Sequence, residues 1–205
     1  MPPATIEFTE FSRSLRQKSG AISSTYPKSS DLSLEQLPAL KAGEKRYFGI
    51  GQGNLRVTPL QVANAMASIA RNGIFQSPRL YKEMQYYEGV NLDITRQTLD
   101  TVYDGMSAVV NEPQGTANTE FGPLIRTFTQ QNVKIYGKTG STEKPYHAWF
   151  AGFAEDSSNK KIAFSIIVEG GQHGSRDAAP LACDIIQFCI ESGYIGRAIN
   201  TTGGI

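Results

Sequence analysis

Val133-Lys134-Ile135-Tyr136-Gly137-Lys138-Thr139-Gly140-Ser141 is the stretch that decides the fold of this chain, together with two apolar stretches that follow it. All three are rich in β-branched and aromatic residues, which favour β-strands. The polar run at 155–160 separates the second stretch from the third and is typical of a tight turn. We therefore predict three consecutive antiparallel strands, at residues 133–141, 148–154 and 162–169.

Three helices are predicted around these strands. The first begins at Thr58-Pro59-Leu60-Gln61, where Thr58 and Gln61 form a capping box, and it ends at Asn72-Gly73. Apolar residues at helical spacing predict the second helix over 94–111, and Pro180 begins a closing helix that stops at Gly193. Between them, Gly115-Thr116-Ala117 is predicted to open a linker to the strands. An antiparallel sheet flanked by helices is an α+β fold.

The composition is that of one ordinary globular domain, without the features of a nucleic-acid or membrane-surface protein. Of the 205 residues 40% are hydrophobic, and 20 Lys plus Arg balance 19 Asp plus Glu. The sequence has no signal peptide after Met1 and no apolar run near the roughly 20 residues of a membrane span, so the chain as printed is expected in the cytoplasm. Cys183 and Cys189 are predicted core residues without a disulfide.

Neither a metal nor a cofactor is expected. The two histidines, His147 and His173, have no acidic partner at ligand spacing and are predicted to lie in loops. Trp149 and Phe150 are predicted core residues. The glycines of residues 170–174 resemble a phosphate-binding loop only loosely, because the Lys-Ser/Thr ending is missing.

Lys138, Thr139, Gly140 and Ser141 are the candidate binding residues. Lys138 supplies a fixed cation, Thr139 and Ser141 supply hydroxyls, and Gly140 lacks the side chain that would keep a ligand's backbone away from the strand. The chemistry implied is recognition of a carboxylate next to an amide carbonyl. A Lys-Thr-Gly tripeptide alone is typical of a solvent-exposed strand end, but the flanking Tyr136-Gly137 and the aromatic strand that follows favour the binding interpretation.

Six short motifs follow one another in an order that resembles the transpeptidase domain of the penicillin-binding proteins, the enzymes that cross-link the bacterial cell wall. The resemblance is greatest to the high-molecular-weight elongation type and extends over residues 8–190. The motifs are Lys18-Ser19-Gly20, Gly49 to Gly53 with Thr58-Pro59-Leu60-Gln61, Gly115-Thr116-Ala117, Lys138-Thr139-Gly140-Ser141, Ala148 to Phe153, and Ala178-Ala179-Pro180.

The resemblance implies that residues 47–195 form the C-terminal part of a β-lactamase/transpeptidase-like fold, after a polar helix remnant and loop at 1–46 and before a tail at 196–205. It implies that Lys138 orients the carboxylate of a peptidoglycan stem peptide or a β-lactam, and that Thr139 and Ser141 hydrogen-bond to it. The Ser141 N–H would be one oxyanion donor. Members of the family are anchored in the membrane and act outside the cytoplasm.

No catalytic nucleophile is predicted in this chain. The family's nucleophile is a serine in Ser-x-x-Lys at the start of a helix, supported by Ser-x-Asn on a loop. Ser-x-x-Lys occurs by letter at Ser141, Ser157 and Ser158, and Ser-x-Asn at Ser157, but the predicted settings are a strand end and a charged turn. We interpret the chain as a portion that begins past the second motif and is inactive alone, with a complementary N-terminal segment as one candidate partner.

Two other functions stay open at this point. A non-enzymatic module could use the Lys138 strand to hold a peptide carboxylate or to present a sheet edge to a partner. A self-sufficient serine hydrolase related to the β-lactamases is disfavoured, because the sequence frames no nucleophile. The resemblance also implies that the strand at 162–169 is central in the family, so its outer edge is expected to be open here.

Overall fold

The computed structural model describes residues 41–52, 57–79, 81, 83–84, 86 and 88–196. The chain divides into two compact units, residues 1–61 and 62–205. Helix α1 (Ala42–Gly49) lies in the first unit and crosses the boundary that the sequence predicted between residues 46 and 47. The predictions for residues 1–40 and 197–205, which include the Lys18-Ser19-Gly20 motif, lie outside the described residues.

Helix α2 (Pro59–Ala70) begins and ends as its sequence predicts. The Thr58 N–H donates to Gln61 Oε1 over 2.8 Å, and the Gln61 N–H donates to Thr58 Oγ1 over 3.3 Å, which confirms the capping box. Asn72 and Gly73 follow the helix with φ angles of 56° and 86°, a left-handed conformation that stops it.

A three-stranded antiparallel meander forms the centre of the second unit. After a short ribbon of β1 (Ile74–Phe75) and β2 (Val90–Asn91), which the sequence did not predict, the strands are β3 (Val133–Thr142), β4 (His147–Asp156) and β5 (Lys161–Glu169). Their order in the sheet is β3-β4-β5, so the predicted α+β arrangement is confirmed. Among the described residues β5 pairs with β4 alone, which leaves its outer edge without a strand partner there.

Helices cover both faces of the meander. Besides α2, they are α3 (Arg96–Asn111), α4 (Asn118–Phe121), α5 (Ile125–Gln130) and α6 (Ala179–Glu191). On one face Phe150 and Phe164 pack with side chains of α4, α5 and α6; on the other, Tyr136 and Phe153 pack with residues of α2 and α3. The sheet is therefore buried between two helical layers, as an α+β sandwich requires.

One carboxylate closes the β4–β5 turn. Asp156 Oδ1 accepts hydrogen bonds from Ser158 N–H, Ser158 Oγ–H and Lys160 N–H, and its Oδ2 accepts one from Gly196 N–H over 2.9 Å. Burial opposes ionisation of Asp156, but the hydrogen bonds from Ser158, Gly196 and Lys160 outweigh it and lower the pKa of the carboxyl. Asp156 thereby fastens the end of the described chain to the sheet.

Two sequence predictions in this unit need correction, and one is confirmed. His147 is the first residue of β4, not a loop residue, because its backbone lies opposite Thr142 of β3 and Glu169 of β5. Gly115-Thr116-Ala117 is not a loose linker: Ala117 is fully buried, and its N–H donates to Val109 O over 3.0 Å. Cys183 and Cys189 are free thiols, as predicted.

Candidate functional site

The four candidate binding residues lie together at the end of β3. Lys138, Thr139, Gly140 and Ser141 stand opposite Ala151, Phe150, Trp149 and Ala148 of β4. Within the part of the chain that the structure describes, β3 pairs only with β4, so it is an edge strand. An extended ligand backbone can add to such an edge, while side chains beside it select the ligand's polar groups.

Lys138 presents a positive charge that no described carboxylate compensates. Its side chain is exposed, and Nζ donates to the carbonyl oxygen of Thr139 over 2.6 Å, so the ammonium group lies against the strand. Among the described residues no carboxylate is within ion-pair distance of Lys138; the ion pairs there join Arg96 to Asp100 and Lys161 to Glu155. An anionic ligand would therefore not have to displace an acidic partner that belongs to the described residues.

The hydroxyl of Thr139 has a partner from outside the sheet. Thr139 Oγ1 lies 2.8 Å from Thr116 Oγ1, and either atom can donate. Thr116 follows Gly115, which lies so close to the end of α3 that an added Cβ would be 2.2 Å from Ala108 O. Sequence reasoning placed the Gly-Thr-Ala motif in the family's order but gave Thr116 no role; the only signal was the position of a threonine after an obligatory glycine.

The hydroxyl of Ser141 is held by a second loop. Ser141 Oγ accepts a hydrogen bond from the Gly174 N–H over 3.2 Å. Gly174 opens a π-helical turn, Gly174–Ala178, and is buried against the sheet: an added Cβ would be 2.4 Å from Trp149 O and 2.5 Å from Gly140 O. Gly174, the last residue of the stretch that loosely resembled a phosphate loop, thus packs on the Lys-Thr-Gly strand.

The loop before this turn is held by Asp177. Its Oδ2 accepts the Gln172 N–H over 2.7 Å and the His173 N–H over 2.9 Å. These bonds, first that from His173 and then that from Gln172, lower the pKa of Asp177. Asp177 therefore remains ionised at neutral pH and keeps the loop folded beside Ser141.

Glycines also let the strands approach closely at the site. A Cβ on Gly137 would lie 2.4 Å from Phe150 Cζ, so only glycine lets the Phe150 ring lie across β3. Phe150 is fully buried, as predicted, whereas Trp149 is only partly buried. At Gly140 the nearest atom to an added Cβ would be Trp149 Cβ, at 3.3 Å. Trp149 is therefore the cross-strand neighbour of Gly140 and lies beside the candidate site.

None of the sequence's Ser-x-x-Lys stretches begins a helix. Ser141 is on β3, and Ser157 and Ser158 are in the β4–β5 turn, where Asp156 binds the Ser158 hydroxyl. Burial, followed by the charges of Asp184 and Glu120, raises the pKa of the Cys183 thiol to about 11. Because the thiolate is the reactive form of cysteine, Cys183 does not act as the nucleophile in place of a serine. The settings predicted for these serines are confirmed.

Two features are absent from the part of the chain that the structure describes. No group of three His, Cys, Asp or Glu side chains there is arranged to hold a metal ion. No helix among those residues has the length and apolar character needed to cross a lipid bilayer.

The motifs and the sheet point to one family, and a comparison with family models decides it. The model described as penicillin binding protein transpeptidase domain matches residues 19–187. The chain belongs to this family. The resemblance inferred from the six motifs is thereby confirmed.

Penicillin-binding relatives of known identity are similar to this chain over most of its length. Peptidoglycan D,D-transpeptidase MrdA of Haemophilus influenzae is 30% identical over 174 residues, which cover 71% of this chain and 26% of the relative. Peptidoglycan D,D-transpeptidase PbpA of Mycolicibacterium smegmatis is 31% identical over 162 residues, covering 72% of this chain and 31% of the relative. The chain therefore spans less than a third of the length of these two transpeptidases.

Solved structures agree on the fold. The crystal structure of Pseudomonas aeruginosa PBP2 in complex with WCK 5153 is 28% identical, with a TM-score of 0.61, and covers 83% of this chain and 37% of that chain. The fold is shared by the crystal structure of a peptidoglycan glycosyltransferase from Burkholderia ambifaria. That structure is 18% identical, with a TM-score of 0.54, and the match covers 94% of this chain and 58% of that chain. The mixed helix and antiparallel-sheet architecture is that of a penicillin-binding transpeptidase domain.

Proposed function

We propose that this chain supplies the carboxylate-binding strand of a peptidoglycan D,D-transpeptidase, and that its ligands are a stem peptide ending in D-Ala-D-Ala and the β-lactams that mimic it. The observation that supports this most is the setting of Lys138. Its ammonium group has no acidic partner among the described residues and lies on an edge strand that carries the Thr139 and Ser141 hydroxyls on its opposite face. A cation and hydroxyl donors that flank one strand edge are complementary to a carboxylate that binds at that edge.

In the proposed complex the peptide lies along the edge of β3 with its carboxylate at Lys138, Thr139 and Ser141. Gly140 leaves room for the ligand backbone, and the Ser141 N–H donates to the oxyanion that forms when the amide carbonyl is attacked. The attacking serine and its base would come from a segment outside this chain that completes the domain. The complete protein would act in cell-wall synthesis, outside the cytoplasm.

A second candidate function is a non-enzymatic module that binds a peptide carboxylate reversibly. The settings of Ser141, Ser157 and Ser158 favour it, since none of these serines begins a helix with a lysine one turn on. Both candidates use the same strand, so they share the binding test below. They differ in whether acylation appears once a complementary N-terminal segment is supplied.

The test begins with the purified chain. It should form no stable adduct with a fluorescent penicillin, because no hydroxyl among the described residues has an activating base in place. Mass-spectrometric mapping of a stoichiometric adduct to any serine of the chain would contradict this, and one at Ser141 would make Ser141 a nucleophile. Reversible binding of benzylpenicillin should instead quench or enhance the fluorescence of Trp149, the single tryptophan, which lies opposite Gly140.

Lys138→Ala should weaken that binding about ten- to a hundredfold, since a charge-assisted hydrogen bond contributes roughly 1.5–3 kcal/mol. Lys134→Ala is the matched control: Lys134 is exposed on the same face of β3 but lies opposite Glu155, four residues from Lys138. Equal affinities of the two variants for benzylpenicillin would remove Lys138 from the site. Absence of saturable binding by the unmodified chain would refute the proposed function.

A further inference from the structure

Both hydroxyls of the candidate site are held by partners that lie outside β3. Thr139 and Ser141 are two residues apart, so they project from the same face of the strand. Thr116 contacts the first and the Gly174 N–H contacts the second. These contacts join positions 23 and 33 residues apart in sequence, so they depend on the tertiary fold and not on the local conformation of the strand.

The effect of these contacts on ligand binding follows from the hydrogen bonds that a hydroxyl and a carboxylate can each make. A hydroxyl has one proton to donate and two lone pairs, whereas an ionised carboxylate can only accept. Ser141 Oγ accepts from Gly174, which leaves its own proton free to donate to a ligand. Thr139 is in the same state only if Thr116 is the donor in the 2.8 Å contact between the two threonines.

We infer that Thr116 is a positioning residue: it donates to Thr139 and so directs the single proton of Thr139 toward the carboxylate of the bound ligand. The inference rests on the proposed function of the Lys138 strand. Water could satisfy Thr139 equally well in the free protein, because both threonine side chains reach solvent. A fixed partner instead orients the Thr139 hydroxyl as a donor before the ligand binds, which lowers the entropy that is lost on binding.

The backbone around Thr116 is rigid enough to hold this geometry. The Ala117 N–H donates to Val109 O, and the Asn118 side-chain amide donates to Val110 O over 3.1 Å. Gly115 lies against the last turn of α3 with no room for a side chain. Thr116 is nevertheless exposed. The fold therefore anchors the residues on either side and leaves the threonine hydroxyl at the site.

The test uses the full chain, with benzylpenicillin and its methyl ester as probes, read by Trp149 fluorescence. The unmodified chain should bind the free acid more tightly than the ester. Thr116→Val keeps the shape and removes the hydroxyl; it should weaken binding of the acid about three- to tenfold, the worth of one neutral hydrogen bond, and leave the ester unchanged. Thr116→Ser should restore most of the affinity for the acid.

Two further variants separate positioning from a structural role. Thr101→Val is the matched control, because Thr101 is an exposed threonine whose hydroxyl bonds to Gln97 O within α3, and its affinities should equal those of the unmodified chain. In a Thr139→Val background, Thr116→Val should have no additional effect, since its action passes through Thr139. A full additional loss there would overturn the inference.

The remaining outcomes distinguish the inference from the function on which it rests. If the unmodified chain prefers the acid but Thr116→Val binds both probes normally, or weakens both equally, Thr116 is not a positioning residue and the proposed function stands. If the unmodified chain does not distinguish the acid from the ester, the strand does not bind a carboxylate and both proposals fail. Circular dichroism of each variant checks that the fold is retained.

Discussion

Replacing Gly174 with alanine tests the contact between the π-helical turn and the Lys-Thr-Gly strand. The added Cβ would lie 2.4 Å from Trp149 O, 2.5 Å from Gly140 O and 2.8 Å from Gly140 N, whereas ordinary contact begins at 3.4 Å. The difference, 3.4 minus 2.4, means that the turn and the strand must separate by about 1.0 Å. All three atoms belong to the backbone, so no rotamer change can relieve the overlap.

Overpacking of this kind costs about 1–3 kcal/mol, and we expect the upper end because backbone must move. Urea unfolding followed by circular dichroism measures the change. Gly105→Ala is the matched control: Gly105 lies within α3 with no described atom within 4 Å of its Cβ position, so alanine should stabilise the chain by about 0.5–1 kcal/mol. If Gly174→Ala were as stable as the unmodified chain, the close packing of the turn on β3 would be wrong.

Three further predictions concern stability and association. Asp156→Asn should lower the free energy of unfolding at neutral pH by about 1.5–3 kcal/mol. Because the pKa of Asp156 is lowered in the folded state, its ionised form stabilises the fold above the ordinary pKa of about 3.9, and this stabilisation is lost as pH falls through the folded-state pKa. The free energy of unfolding, measured with urea at pH 2–7, should therefore fall less steeply toward low pH in Asp156→Asn than in the unmodified chain. Burial, followed by the charge and hydrogen bond of Glu155, raises the pKa of Tyr136 from 10.0 to about 12. The free energy of unfolding should therefore decline as pH rises between those two values, and Tyr136→Phe should make this decline less steep. An unchanged slope in the variant would exclude Tyr136 as the source of the decline. The outer edge of β5, which has no strand partner among the described residues, should cause self-association in size-exclusion chromatography with light scattering. A monomer with slow amide exchange across 162–169 would show that the edge is covered.

The elements that sequence predicted are those with local causes. Strands β3, β4 and β5 are marked by β-branched and aromatic residues between polar turns, and α2 begins at a capping box that involves only Thr58 and Gln61. The ribbon of β1 and β2 was missed because two-residue strands carry no periodicity. β4 begins earlier than predicted, at His147, because strand neighbours on both sides extend its pairing beyond the apolar residues.

The candidate site likewise contains residues that the sequence predicted and residues that it did not. Lys138, Thr139, Gly140 and Ser141 are adjacent in sequence, so their side-chain chemistry could be read directly. The roles of Thr116 and Gly174 could not be predicted, because α4 and α5 lie between Thr116 and the strand, and β4 and β5 lie between the strand and Gly174. Nothing in a lone threonine or glycine indicates which distant hydroxyl it will contact.

The arrangement around Thr139 and Ser141 also bears on the design of small mimics. A synthetic hairpin copying residues 133–156 would contain all four residues of the Lys-Thr-Gly-Ser motif and the strand that pairs with them. It would lack both loops, so solvent would set the orientation of its hydroxyls, and an isolated two-stranded hairpin is only marginally stable in water. Such a peptide should attract carboxylates through Lys138 in a salt-sensitive way, without distinguishing one carboxylate ligand from another. Selectivity in a minimal binder would require the segments that carry Thr116 and Gly174, so such a binder would have to extend at least from residue 116 to residue 174.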